Sequence, residues 1–160
     1  MATSFHDIVE GLQEQIGRSF AVILGQVDSR QTERLWMSVG RFDVMHLPRT
    51  TVTEVVPPLY ASSIMEWSSG VPEAKLNFDG TSLDQIGGLS LGGLRLMGVG
   101  QDLEFLAQIE TGMELIQETT IEDVQLKTGK SGDLAVISIR RVFKNNGQDM
   151  LRCTETFIGR

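Results

Sequence analysis

Leu94-Arg-Leu-Met-Gly-Val-Gly-Gln-Asp-Leu-Glu-Phe-Leu-Ala-Gln-Ile109 opens the stretch to Arg160 whose reading decides the fold. Thr111-Gly112 punctuates it, and a second segment follows from Glu114 to Lys127 with Leu115, Ile116, Ile121, Val124 and Leu126. Thr128-Gly-Lys-Ser-Gly-Asp133 closes that segment. Leu134-Ala-Val-Ile-Ser-Ile-Arg-Arg-Val-Phe143 is the densest β-branched run of the chain, and Asn145-Asn146-Gly147 separates it from Met150 to Ile158. Asn-Gly between strand-like residues signals a hairpin, because both residues accept positive φ and match the strand twist. Four strands joined by three antiparallel connections in a meander are expected, with no helices between them. The N-terminal half must then cover that sheet.

Outward from the sheet, Ser4 precedes a helical pattern of Phe5, Ile8, Val9, Leu12 and Ile16, with Asp7 placed for a capping box and Gly17 as the stop. Phe20-Ala-Val-Ile-Leu24 has strand length. Asp28 and Ser29 are N-caps for a second helix, Arg30 to Val39, with Leu35, Trp36 and Val39 inward and Gly40 ending it. Arg41 to Val56 is irregular by pattern. Pro57-Pro58 opens a buried helix, Leu59 to Trp67, since proline at the first helical position sacrifices no bond. Residues 68–93, with six glycines, read as a long mobile surface excursion. The expected class is α+β, one domain spanning residues 1–160, its antiparallel sheet wrapped around a central helix. That is the layout of a hot-dog fold.

The chain's 160 residues suffice to bury a core. Its net charge of −7 argues against nucleic acid. No apolar run is long enough for a bilayer, and no signal-peptide pattern opens the chain, so no membrane partner is expected. The single cysteine, Cys153, leaves no disulfide framework and fits a reducing cytoplasm; within a strand it reads as a packing thiol. Two isolated histidines, His6 and His46, and one cysteine cannot build a metal site, and no cofactor is expected. Gly87-Gly88 and Gly92-Gly93 lack the strand–turn–helix setting of a nucleotide loop.

Several local motifs resemble the MaoC-like hydratase/dehydratase family, in particular the branch that forms the N-terminal half of double hot-dog dehydratases. Ile16-Gly17-Arg18-Ser19-Phe20 resembles its entry into the first strand, and Glu33 to Gly40 its glycine-ended helix. Val55-Val56-Pro57-Pro58-Leu59-Tyr60 resembles the start of its central helix. Leu94 to Phe105 is similar to its following strand, and Gln108 to Met113 to the turn after it. Catalytic members carry a Gly-Asp-x-Asn-Pro-x-His segment, whose aspartate and histidine activate the water added to an enoyl thioester. Here the segment reads Gly40-Arg41-Phe42-Asp43-Val44-Met45-His46.

The resemblance implies His46 as general base, with Asp43 at the asparagine position to orient its ring. Arg41 replaces the aspartate and could pair with Asp43 or hold a carrier phosphate. Pro57-Pro58 replace a His-Gly pair whose glycine N–H would polarise the thioester carbonyl. That donor would then come from Leu59 or Tyr60, and Tyr60 could also offer its hydroxyl to an acyl tunnel. Met113 and Met97 replace a family aspartate and histidine. Bland alternatives stand beside each: a solvent-exposed loop histidine, a turn-capping aspartate, a solvated arginine, a core tyrosine. The functions implied are hydration or dehydration of an acyl thioester on CoA or carrier protein, in fatty acid or polyketide metabolism. Otherwise the chain is a catalytically silent hot-dog subunit or a binding module for acyl chains. A homodimer, or a heterodimer with another hot-dog chain, is expected because a long sheet edge would otherwise stay unpaired.

Overall fold

The computed structural model describes residues 4–40, 56–63, 94–130 and 132–160. Within them lie α1 (Phe5–Gln13), β1 (Ser19–Gln26), α2 (Ser29–Ser38) and a short α3 (Tyr60–Ser63). β2 (Leu96–Phe105), β3 (Glu114–Gly129), β4 (Gly132–Asn145) and β5 (Gln148–Gly159) follow. The expected excursion over 68–93, and Ile64 and Trp67 of the expected central helix, lie outside the described residues.

Among the described residues the strands form one antiparallel sheet of order β1-β3-β4-β5-β2. The meander is therefore right for β3-β4-β5 and wrong for β2, which lies beyond β5 at the far edge. Thr111-Gly112 does turn the chain, Gly112 at φ +87°, but the turn closes on the end of β1. Gly112 N–H donates to the Val27 carbonyl, and Val27 N–H to that of Met113. β1 thereby takes the β3 edge that a β2–β3 hairpin would have used. Asn146 (φ +48°) and Gly147 (φ +81°) form the expected two-residue turn. Thr128 to Asp133 is tighter than expected, since Thr128 and Asp133 are already a strand pair.

Register shifts break the ladders on both sides of β4. Ile121 faces Ile139 while Asp123 faces Ser138, which leaves Glu122 as the extra residue. Phe143 faces Leu151 while Lys144 faces Asp149, which leaves Met150 extra. Side chains alternate across the sheet. One face carries Ala135, Ile137, Ile139 and Phe143, all fully buried. The other is laced with ion pairs, among them Lys144–Glu118 at 2.6 Å, Arg140–Glu122 at 3.0 Å and Arg152–Glu104 at 2.6 Å.

Three helices contribute side chains to the two apolar clusters. Ser4 and Asp7 make the capping box of α1, each side chain taking the other's backbone N–H. Its Val9 and Leu12 pack with Ile121, Val124, Ala135, Ile137 and Ile139. The helix stops before Ile16, which is 42% exposed rather than inward. Asp28 caps α2, whose buried residue is Thr32, its hydroxyl donating to the Asp28 carbonyl at 2.9 Å. Val39, expected inward, follows the last turn and is 59% exposed. Tyr60 and Ala61 of α3 pack with Val27, Leu115, Phe143, Leu151 and Cys153 in a second apolar cluster.

Candidate functional site

A cleft of about 470 Å³ opens where the Pro57-Pro58 segment meets the end of β2. Val56, Pro57 and Pro58 form one wall, the backbone from Phe105 to Ile109 the other, and Met150 and Leu151 the floor. The walls are tied by Val56 N–H donating to the Ile109 carbonyl. Leu106 and Ala107 N–H both donate to the Met150 carbonyl, the bulge residue, which draws the chain after β2 over β5. Phe105 remains 52% exposed at the cleft. Gln108 is the one lining side chain that can donate and accept hydrogen bonds.

Of the residues expected to act, Arg41, Asp43 and His46 lie outside the described residues. Leu59 follows the cleft-lining Pro58 and is 55% exposed, against the buried position expected for it. The Tyr60 amide is committed to the Pro57 carbonyl at 2.9 Å. Its phenol is 2% exposed and turned to α2: Asp28 N–H donates to it at 3.4 Å, and it donates to Gln31 Oε1 at 3.3 Å. Burial pushes this phenol above its usual pKa, so it stays protonated through neutral pH. Met113 packs against the second cluster, whereas Met97 is 60% exposed on the β2 edge.

Sequence reading missed a band of polar side chains across the inner face, between the two apolar clusters. Gln117 (0% exposed) donates to Thr119 Oγ1 at 3.0 Å, and Thr119 faces Arg141 across the β3–β4 pair. Arg141 Nε donates to Glu155 Oε2 at 2.6 Å, with side-chain exposures of 7% and 14%. Gln101 Nε2 donates to Glu155 Oε1 at 3.3 Å from the β2 edge. Cys153 sits beneath them, fully buried. Burial, then the Glu155 charge, pushes its thiol up to about 11, partly offset by Gln101 and Arg141. A thiol so protonated is no nucleophile near neutral pH. Among the described residues no cluster of His, Cys, Asp and Glu could hold a metal ion. No helix among them is long and apolar enough to cross a membrane.

No family model and no curated protein matches this sequence. Solved structures do match, over nearly its whole length. The ChsH1-ChsH2 complex from Mycobacterium tuberculosis superposes with a TM-score of 0.66 at 12% identity, covering 97% of this chain and 92% of that one. The chain has a hot-dog fold. A MaoC-like dehydratase from Rhodospirillum rubrum gives 0.60 at 18% identity, covering 90% and 91%. The HadBC (3R-hydroxyacyl-ACP dehydratase) complex of M. tuberculosis gives 0.59 at 14%, covering 99% and 100%. In this hot-dog chain Val56, Ile109, Met150 and Leu151 belong both to the cleft and to the apolar cluster beneath α3.

Proposed function

We propose that this chain is a single hot-dog unit of the MaoC-like hydratase/dehydratase family, acting on acyl thioesters of CoA or a carrier protein in the cytoplasm. His46 is the general base, Asp43 orients its ring and Arg41 takes the phosphate of the carrier. The Leu59 amide is the donor to the thioester oxygen, because the Tyr60 amide is already spent on Pro57. The Tyr60 phenol fastens that segment to α2. The observation that carries this reading is the whole-chain likeness to MaoC-like and hydroxyacyl dehydratase structures. The apolar cleft beside Pro57-Pro58 is of a size to receive an acyl chain. Hydration of a trans-enoyl-CoA, followed by loss of its conjugated absorbance, tests it. His46→Ala should lower the rate by about a hundred- to ten-thousand-fold with the fold intact.

A second reading is a catalytically silent subunit that completes the acyl tunnel of an active hot-dog partner. Two of the similar structures are complexes by name, ChsH1-ChsH2 and HadBC. Here β2 closes one end of the sheet order among the described strands, with Met97 and Val99 60% and 49% exposed. Such an edge invites a partner. Unchanged turnover in His46→Ala, or turnover that appears only with an added hot-dog chain, selects this reading.

A further inference from the structure

Resting on the acyl-thioester reading, we propose that Glu155 is a subsite for a hydroxyl group carried on the acyl chain, remote from the cleft. The register lays the path out. Phe105 faces Leu151 at the cleft, Leu103 faces Cys153 one step on, and Gln101 faces Glu155 two steps on. Four residues of strand place Gln101 about 13 Å from Phe105. Along this line Phe105 and Gln101 are exposed and Leu103 is half-buried.

The polar end of the path is set up to accept a donor. Glu155 Oε2 is held tightly by Arg141 at 2.6 Å, whereas among the described residues Oε1 receives only the Gln101 amide, at 3.3 Å. Charge-assisted bonds ordinarily run about 2.7–2.9 Å, so the Gln101 contact is weak. Gln101 is exposed on an edge strand and can swing into water. An ionised carboxylate accepts and never donates, so Oε1 selects a hydroxyl over a keto group or a bare alkyl end. It also repels a ligand carboxylate. Burying an ion pair in a core is costly, and apolar residues of like volume are often as stable there. Arg141 and Glu155 nonetheless hold the seam between the two apolar clusters.

The test is calorimetric titration of the whole chain with a saturated medium-chain acyl-CoA, its ω-hydroxy counterpart and its ω-keto counterpart. The hydroxylated thioester should bind about tenfold tighter than the other two, the step that one hydrogen bond to a charged group supplies. Glu155→Gln should reduce that preference severalfold and leave the plain thioester's affinity unchanged. Should that variant not fold, Gln101→Ala carries the test, because removing the competitor should keep or widen the preference. Equal binding of the three thioesters by the wild type overturns the subsite while leaving the acyl-thioester reading intact. So does a Glu155→Gln effect that weakens all three alike, which is what a purely structural ion pair would give. No binding of any thioester overturns the acyl-thioester reading itself, and the subsite with it.

Discussion

Replacing Tyr60 by phenylalanine separates a structural tyrosine from a working one. The ring is 2% exposed among Val27, Leu115, Phe143 and Leu151, and phenylalanine keeps that packing. Only the hydroxyl is lost, with its contacts to Asp28 N–H at 3.4 Å and Gln31 Oε1 at 3.3 Å. Both are long, so each stands at the lower end of the usual net worth of 0.5–1.5 kcal/mol, and the pair contributes about 1 kcal/mol. For a chain of this size that lowers the melting temperature by about 2–4 °C. Tyr60→Ala, which also empties the ring's place, should cost about 3–5 kcal/mol. Burial raises the phenol's pKa, so the folded state resists its ionisation. Its stabilising part is therefore whole below the unfolded value near 10 and fades as pH rises beyond it. Tyr60→Phe should lack this alkaline loss in calorimetric melts between neutral pH and pH 11. Turnover of an enoyl-CoA should be unchanged. An unaltered melting temperature together with a hundredfold loss of turnover would refute the argument and return the phenol to the substrate.

Three further outcomes follow from the same geometry. Cys153 has its thiol raised to about 11, so stability should hold below pH 9 and fall as pH climbs from about 9 through 11. Urea melts should show a loss on the order of 2–3 kcal/mol that Cys153→Ala lacks, and the native thiol should label only as fast as the chain unfolds. Gly147→Ala places a Cβ at φ +81° in the β4–β5 turn and should cost about 1–2 kcal/mol in the same melts. Val99→Lys puts a charge on the exposed β2 edge and should shift the light-scattering mass towards a monomer; a wild type that is already monomeric at micromolar concentration sinks this.

The sheet was legible where its signals are local. Asn146-Gly147 and the β-branched run before it specify β4 and β5 without any distant contact. The place of β2 depends on pairing with residues about fifty positions away, such as Gln101 with Glu155, and no turn signal encodes that. Thr111-Gly112 does turn the chain, but its hydrogen bonds go to Val27, which lies before both of the strands that flank the turn. The helix ends erred for a related reason. Ile16 and Val39 keep apolar periodicity past the point where the backbone leaves the helix.

The polar band was hidden by a single bulge. Counting back from the Asn145–Gln148 pair without interruption sets Arg141 opposite Arg152, two cations side by side on one face. That count also turns Leu151, Cys153 and Glu155 towards the charged face. Met150 as an extra residue shifts the count by one and flips every later β5 side chain. Leu151 and Cys153 then enter the core, and Glu155 comes within 2.6 Å of Arg141. Arg152 moves out to meet Glu104 at 2.6 Å. Alternation alone shows that one member of Arg140-Arg141 must point inward. Which carboxylate meets it is decided by the bulge, and the same bulge residue lends its carbonyl to Leu106 and Ala107 at the cleft. One inserted residue thus positions both the floor of the cleft and the carboxylate about 13 Å along the sheet from it.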